Sequence, residues 1–165
     1  MRQDMTRAAA AARRTRTRGR AAPPALTLRR TFGQPRRAVW NAWTDPARFA
    51  EWFGPEGFTV PECALDVRPG GAWRATMHSP KGDEHKVRGV YVEVRPPGRL
   101  AFTWIWEQGD MAGVETKVTI DLRARGKGTA LTLTHEGLPT ASARAAHRSG
   151  WASSLVRLKQ TFAEQ

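Results

Sequence analysis

From Phe58 to His135 the chain alternates apolar and polar residues with a period of two, interrupted only by turn residues. Cys63, Leu65 and Val67 alternate with Glu62 and Asp66 before Pro69-Gly70-Gly71, and Trp73, Ala75 and Met77 alternate with Arg74 and Thr76 before Ser79-Pro80-Lys81-Gly82-Asp83. A third run, Val87 to Val94, closes at Pro96-Pro97-Gly98. In the next, Leu100, Phe102, Trp104 and Trp106 share one side and Ala101, Thr103 and Ile105 the other, which sets three aromatic rings in a row. Val114 to Leu122 alternates most clearly, and Arg125-Gly126-Lys127-Gly128 turns it into Thr129 to His135. Side chains of a strand point alternately to its two faces, so this is the pattern of an antiparallel sheet with one wet face.

The period changes at both ends. Ala25 to Phe32 reads as a first strand stopped by Gly33. Pro35 then opens a short helix carrying Val39, Trp40 and Trp43, and Asp45-Pro46 is an N-cap and first-turn pair for a second short helix carrying Phe49, Trp52 and Phe53, which Gly54-Pro55 ends. After Pro139, Trp151, Leu155, Leu158 and Phe162 fall at i, i+4, i+7 and i+11, the apolar stripe of one long amphipathic helix. A sheet with one face to cover and a helix with one stripe to bury answer each other's need. The predicted fold is therefore α+β and of the helix-grip kind: a curved antiparallel sheet of about six to seven strands wrapped around a long C-terminal helix, with two short helices after the first strand. Gly70, Gly71 and Gly89 are expected to mark bulges that curve the sheet.

Five segments in this order resemble the SRPBCC, or START-like, superfamily, and within it the domain homologous to the C-terminal part of the activator of the ninety-kilodalton heat-shock chaperone's ATPase. They are VWNAWTDPARFAEWFGPEGFT (Val39 to Thr59), DVRPGGAWR (Asp66 to Arg74), GVYVEVRPPGRLAFTW (Gly89 to Trp104), GTALTLTHEGL (Gly128 to Leu138) and HRSGW (His147 to Trp151). The resemblance spans residues 26 to 163 and implies the helix-grip fold. Members include co-chaperone domains, binders of apolar small molecules and polyketide cyclase-like relatives, so the reaction or ligand has to be argued from the site.

Composition divides the chain into two parts. Residues 1 to 25 hold seven arginines against the single acid Asp4, whereas the remaining twenty basic and fourteen acidic side chains spread over residues 26 to 165. The first stretch lacks aromatic residues and has little to bury, so it is expected to be a disordered arginine-rich tail ahead of one domain, 26–165. A solvated extension, an anchor for an anionic polymer or membrane, and an organelle transit peptide all suit that tail. Nucleic acid is expected only through it. No run of 18 apolar residues exists, which argues against a spanning helix. The one cysteine, Cys63, suits a reducing compartment, and a cytoplasmic location is expected.

The candidate chemistry lies between helix and sheet. Trp73, Met77, Phe102, Trp104, Trp106, Leu133, Trp151 and Leu155 are the expected lining of an apolar hollow, with His135 and His147 as the polar groups at it. The predicted function is a binding module for an apolar or aromatic small molecule held there. A co-chaperone or protein-interaction role and a cyclase- or hydratase-like enzyme using His135 or His147 as base are the alternatives. Trp52, Phe53 and Phe58 are expected in a lid or partner contact, since large apolar residues beside Gly54, Pro55 and Gly57 suggest a loop. Four histidines and one cysteine show no zinc-type spacing, so no metal or other cofactor is expected. Besides the small molecule, a chaperone or other protein and a second copy forming a homodimer are the partners considered.

Overall fold

The computed structural model describes residues 24–164, so the tail of residues 1–25 lies almost wholly outside the described part. The elements run β1 (Leu26–Phe32), α1 (Arg36–Thr44), α2 (Pro46–Trp52), β2 (Thr59–Leu65), β3 (Ala72–His78), β4 (Glu84–Arg95), β5 (Arg99–Trp106), β6 (Thr116–Arg125), β7 (Gly128–Glu136) and α3 (Ala141–Ala163). All seven strands form one antiparallel sheet in the order β1-β7-β6-β5-β4-β3-β2. Strands β2 to β7 follow one another as hairpins. The first strand instead pairs with the last, and α1 and α2 carry the chain from that edge to the other.

Local chemistry sets the helix ends. Asp45 caps α2, its Oδ1 accepting from the Ala47 N–H at 3.0 Å, with Pro46 in the first turn where a missing N–H costs nothing. Pro35 stands one place earlier than the sequence suggests, at the N-cap of α1, without a side-chain cap. Thr140 caps α3 by accepting from the Ala143 N–H at 3.0 Å.

Helix α3 lays its stripe of Trp151, Leu155, Leu158 and Phe162 on the inner face of the sheet, where all four are buried. Opposite stand Leu28, Phe32, Phe102, Trp104, Val118, Ile120, Leu131 and Leu133, so helix and sheet share one contiguous core with the tryptophans of α1 and α2.

Two expectations are corrected. The strand predicted from Val114 begins at Thr116, because the Gly113 N–H is held by the Trp106 carbonyl and the Val114 N–H by that of Met111, which fastens both residues into a turn. The bulges also fall elsewhere: register shifts lie between Thr59 and Glu62 and between Tyr91 and Glu93. Gly89 sits opposite Trp73 for a different reason, close approach. A methyl group there would collide with the Thr103 carbonyl and the Trp73 indole, which crosses Gly89 to donate to Thr103 O at 2.9 Å. Gly70 and Gly71 form the turn that meets Tyr91 beside its bulge, with the Gly70 N–H on Tyr91 O at 2.8 Å.

Candidate functional site

At one end of the grip the surfaces part, leaving a cleft of about 570 Å³ open to solvent. One wall is α3, through Ala146, His147, Gly150, Trp151 and Ser154; the floor is Met77, Trp104 and Trp106 at the ends of β3 and β5. The segment Phe53 to Phe58 forms a second wall, and Glu84, His85 and the turn Gln108 to Met111 form the rim. The aromatic rings meet at angles that leave no flat stack. Trp104 lies 5.1 Å from Trp151 and 5.3 Å from Trp106, centroid to centroid, in tilted and edge-on arrangements.

Behind the floor runs a chain of hydrogen bonds. The Trp151 indole N–H donates to His135 Nδ1 at 3.1 Å, leaving Nε2 to carry the proton and donate to Thr116 Oγ1 at 2.7 Å; that hydroxyl donates in turn to the Trp104 carbonyl at 3.0 Å. His135 is fully buried, and burial, reinforced by His147, pulls its pKa down to about 3. It is held neutral as a structural hinge between sheet and helix. His147, 5.2 Å away between ring centroids, accepts the Trp106 indole N–H at Nε2 (3.0 Å) and donates from Nδ1 to Ala143 O (2.7 Å). Each ring nitrogen of both histidines is therefore occupied. Two indoles differ from the rest: the N–H groups of Trp43 and Trp104 are buried without a partner. That of Trp104 belongs to a residue of the cleft floor.

The residues named from sequence separate into two sets. Met77, Trp104, Trp106, His147 and Trp151 line the cleft, whereas Trp73, Phe102, Leu133, His135 and Leu155 are core residues away from its lining. The distinction is positional: β5 leads outward from Phe102 through Trp104 to Trp106, so only its end reaches the opening. Of the residues read as a lid, Trp52 is fully buried with its indole N–H on Ala42 O at 2.9 Å, while Phe53 and Phe58 are cleft wall.

That wall is fastened. The Arg157 guanidinium, reaching from α3, donates to the carbonyls of Glu51, Phe53, Gly54 and Pro55 at 2.9 to 3.3 Å, and the Glu56 N–H donates to Ser153 Oγ at 2.8 Å. Arg157 so collects the orphan carbonyls at the end of α2. Nothing in the sequence signals this, because an arginine on a helix face is normally solvated. The rim turn Gln108 to Met111 and the lining glycine Gly150 likewise carry no sequence signal that places them at the cleft. Cys63 is half-buried, its thiol near Pro46 O at 3.5 Å and its pKa raised by burial, which leaves it a weak nucleophile. Among the described residues no group of three or more His, Cys, Asp or Glu is placed to hold a metal, and no helix is long and apolar enough to cross a membrane.

A curved seven-stranded antiparallel sheet around a C-terminal helix, open at one end onto an aromatic cleft, defines a helix-grip protein of the SRPBCC, START-like class. Within it, the chain belongs to the family described as Activator of Hsp90 ATPase homolog 1-like protein, matched over residues 34–163. No curated protein matches it. Solved structures do. The chain is 33% identical to the AHSA1 protein of Silicibacter pomeroyi, with a TM-score of 0.77, covering 85% of this chain and 98% of that one. It is 30% identical to a protein of Chromobacterium violaceum (TM-score 0.75, 83% of this chain and 95% of that one). DynU16, of the dynemicin biosynthetic locus, is 26% identical (TM-score 0.69), with 86% of this chain matching 48% of that one.

Proposed function

We propose that this domain binds an apolar aromatic small molecule in the cleft between α3, the outer end of β5 and the Phe53 to Phe58 wall. The observation that carries this reading is the cleft itself, a drug-sized opening floored by Met77, Trp104 and Trp106 and walled by Phe53, Phe58 and Trp151. Membership of DynU16 in a biosynthetic locus supports a small-molecule role for such folds.

Gly150 adds support. It stands inside α3 with ordinary helical geometry, and a methyl group there would meet only Pro55 Cγ at 3.9 Å, a normal contact. Glycine inside a helix costs ~0.5–1 kcal/mol relative to alanine, so a larger residue would favour the fold. What glycine preserves is the open space beside it. Replacing Gly150 by leucine should therefore leave the fold intact and weaken binding of a neutral aromatic such as 2-naphthylmethanol by about tenfold or more, as read by calorimetry. No binding to the parent chain, or equal binding by the Gly150→Leu variant, sinks the reading.

The alternatives draw less from the site. Catalysis by His135 or His147 requires a free ring nitrogen, and each is already engaged. A co-chaperone contact through Trp52 to Phe58 requires those side chains outside, and Trp52 and Phe53 are buried.

A further inference from the structure

The rim of the cleft is acidic in a chain that is otherwise strongly basic. Glu84 and Asp110 are the two carboxylates of the lining, and no lysine or arginine belongs to it, although the whole chain carries 27 lysines and arginines against 15 aspartates and glutamates. Asp110 has no ion-pair partner among the described residues, and Glu84 meets only the imidazole of His78, at 3.8 Å. The other titratable side chains of the lining are His85, tilted against Phe58 at 5.7 Å, and His147, whose Nε2 accepts the Trp106 N–H. Beneath the rim lie the rings of Phe58, Trp104, Trp106 and Trp151.

Aromatic faces attract cations through the ring quadrupole, and carboxylates at the mouth attract them through charge. Both repel a carboxylate ligand. The geometry points to a ligand class narrower than apolar aromatics in general: an aromatic body carrying a cationic amine, with the ring seated among the tryptophans and the ammonium at the rim between Glu84 and Asp110. This inference rests on the binding role proposed above and adds selection by charge to it. The chain's net charge of +12 acts in the opposite sense, drawing anions at long range, so a preference for the cation has to arise locally.

The test is a matched set of probes differing only in charge: 2-naphthylmethylamine, 2-naphthylmethanol and 2-naphthoate, titrated by calorimetry at neutral pH. The amine should bind about tenfold more tightly than the carboxylate at low salt, a modest ratio because both rim carboxylates are solvent-exposed, and the ratio should shrink as salt is added. In an E84Q/D110N double variant the amine and the carboxylate should come within about twofold of each other. Glu84 and Asp110 are exposed and outside the core, so the variant keeps the fold, which an unchanged thermal melt verifies. If the alcohol binds but the amine and the carboxylate do so equally, or the carboxylate better, charge selection is overturned and the binding role stands. A preference for the amine that persists in the double variant also overturns it. If none of the three binds, the binding role itself fails.

Discussion

His135 shows how one buried side chain can tie two elements together and at the same time set the pH range of the molecule. Its ring is neutral in the folded chain with a pKa near 3, against 6.5 when unfolded and solvated. The unfolded chain therefore binds the extra proton first, and stability conferred by the neutral ring is complete above the unfolded value and lost as pH falls from 6.5 toward 3. The slope should approach 1.4 kcal/mol per pH unit (~1.4, from the linkage relation). Urea denaturation between pH 6.5 and about 5, above the range where carboxylates titrate, should show this slope, and a His135→Gln variant should lose it. A flat profile in the parent chain would mean that the ring is solvated. Gly89 is a second decisive residue. Gly89→Ala places a methyl group against Thr103 and the Trp73 indole and should cost roughly 1–3 kcal/mol, whereas Gly150→Ala should add ~0.5–1 kcal/mol, both read from thermal or denaturant melts. Two glycines, opposite signs: one touches packed atoms and the other open space.

Among the elements, the contact between α3 and the end of α2 decides whether the cleft has a fixed wall. Arg157 supplies donors to four carbonyls of residues 51 to 55, and hydrogen bonds to a charged group are worth more than neutral ones. Arg157→Gln should cost about 1–3 kcal/mol and raise amide exchange in the Phe53 to Phe58 segment well above that of β6 and β7. Unchanged exchange there would show that packing of Phe53 and Trp52 alone holds the wall. The strand and helix patterns were legible in the residues: the period-two runs gave the hairpins, Asp45-Pro46 the helix start, and Trp151 to Phe162 the buried stripe. The wall was not. Large apolar residues beside Gly54, Pro55 and Gly57 suggest a lid or partner contact, because the guanidinium that pins the segment stands a hundred residues further along the chain.

For the whole molecule, one contiguous core joins α1, α2, the sheet and α3, so unfolding should be a single cooperative transition. A ligand in the cleft binds only the folded chain and should shift that transition upward as one, by about 2.7 kcal/mol at a hundredfold excess over its Kd. In the Gly150→Leu variant the same probe concentration should give a shift of about 1.4 kcal/mol or less. Periodicity, caps and turn residues determined the helix-grip architecture from the sequence alone, because each acts over a few neighbouring positions and leaves a mark at every one. Which aromatic residues face open space was decided by tertiary structure. Phe102 and Trp106 alternate identically along β5, and only where α3 and the Phe53 to Phe58 wall diverge from the sheet does one become core and the other lining. The acidic rim came about the same way, since Glu84 opens β4 and Asp110 lies in the turn after β5, and the two share a surface only after the sheet has curved.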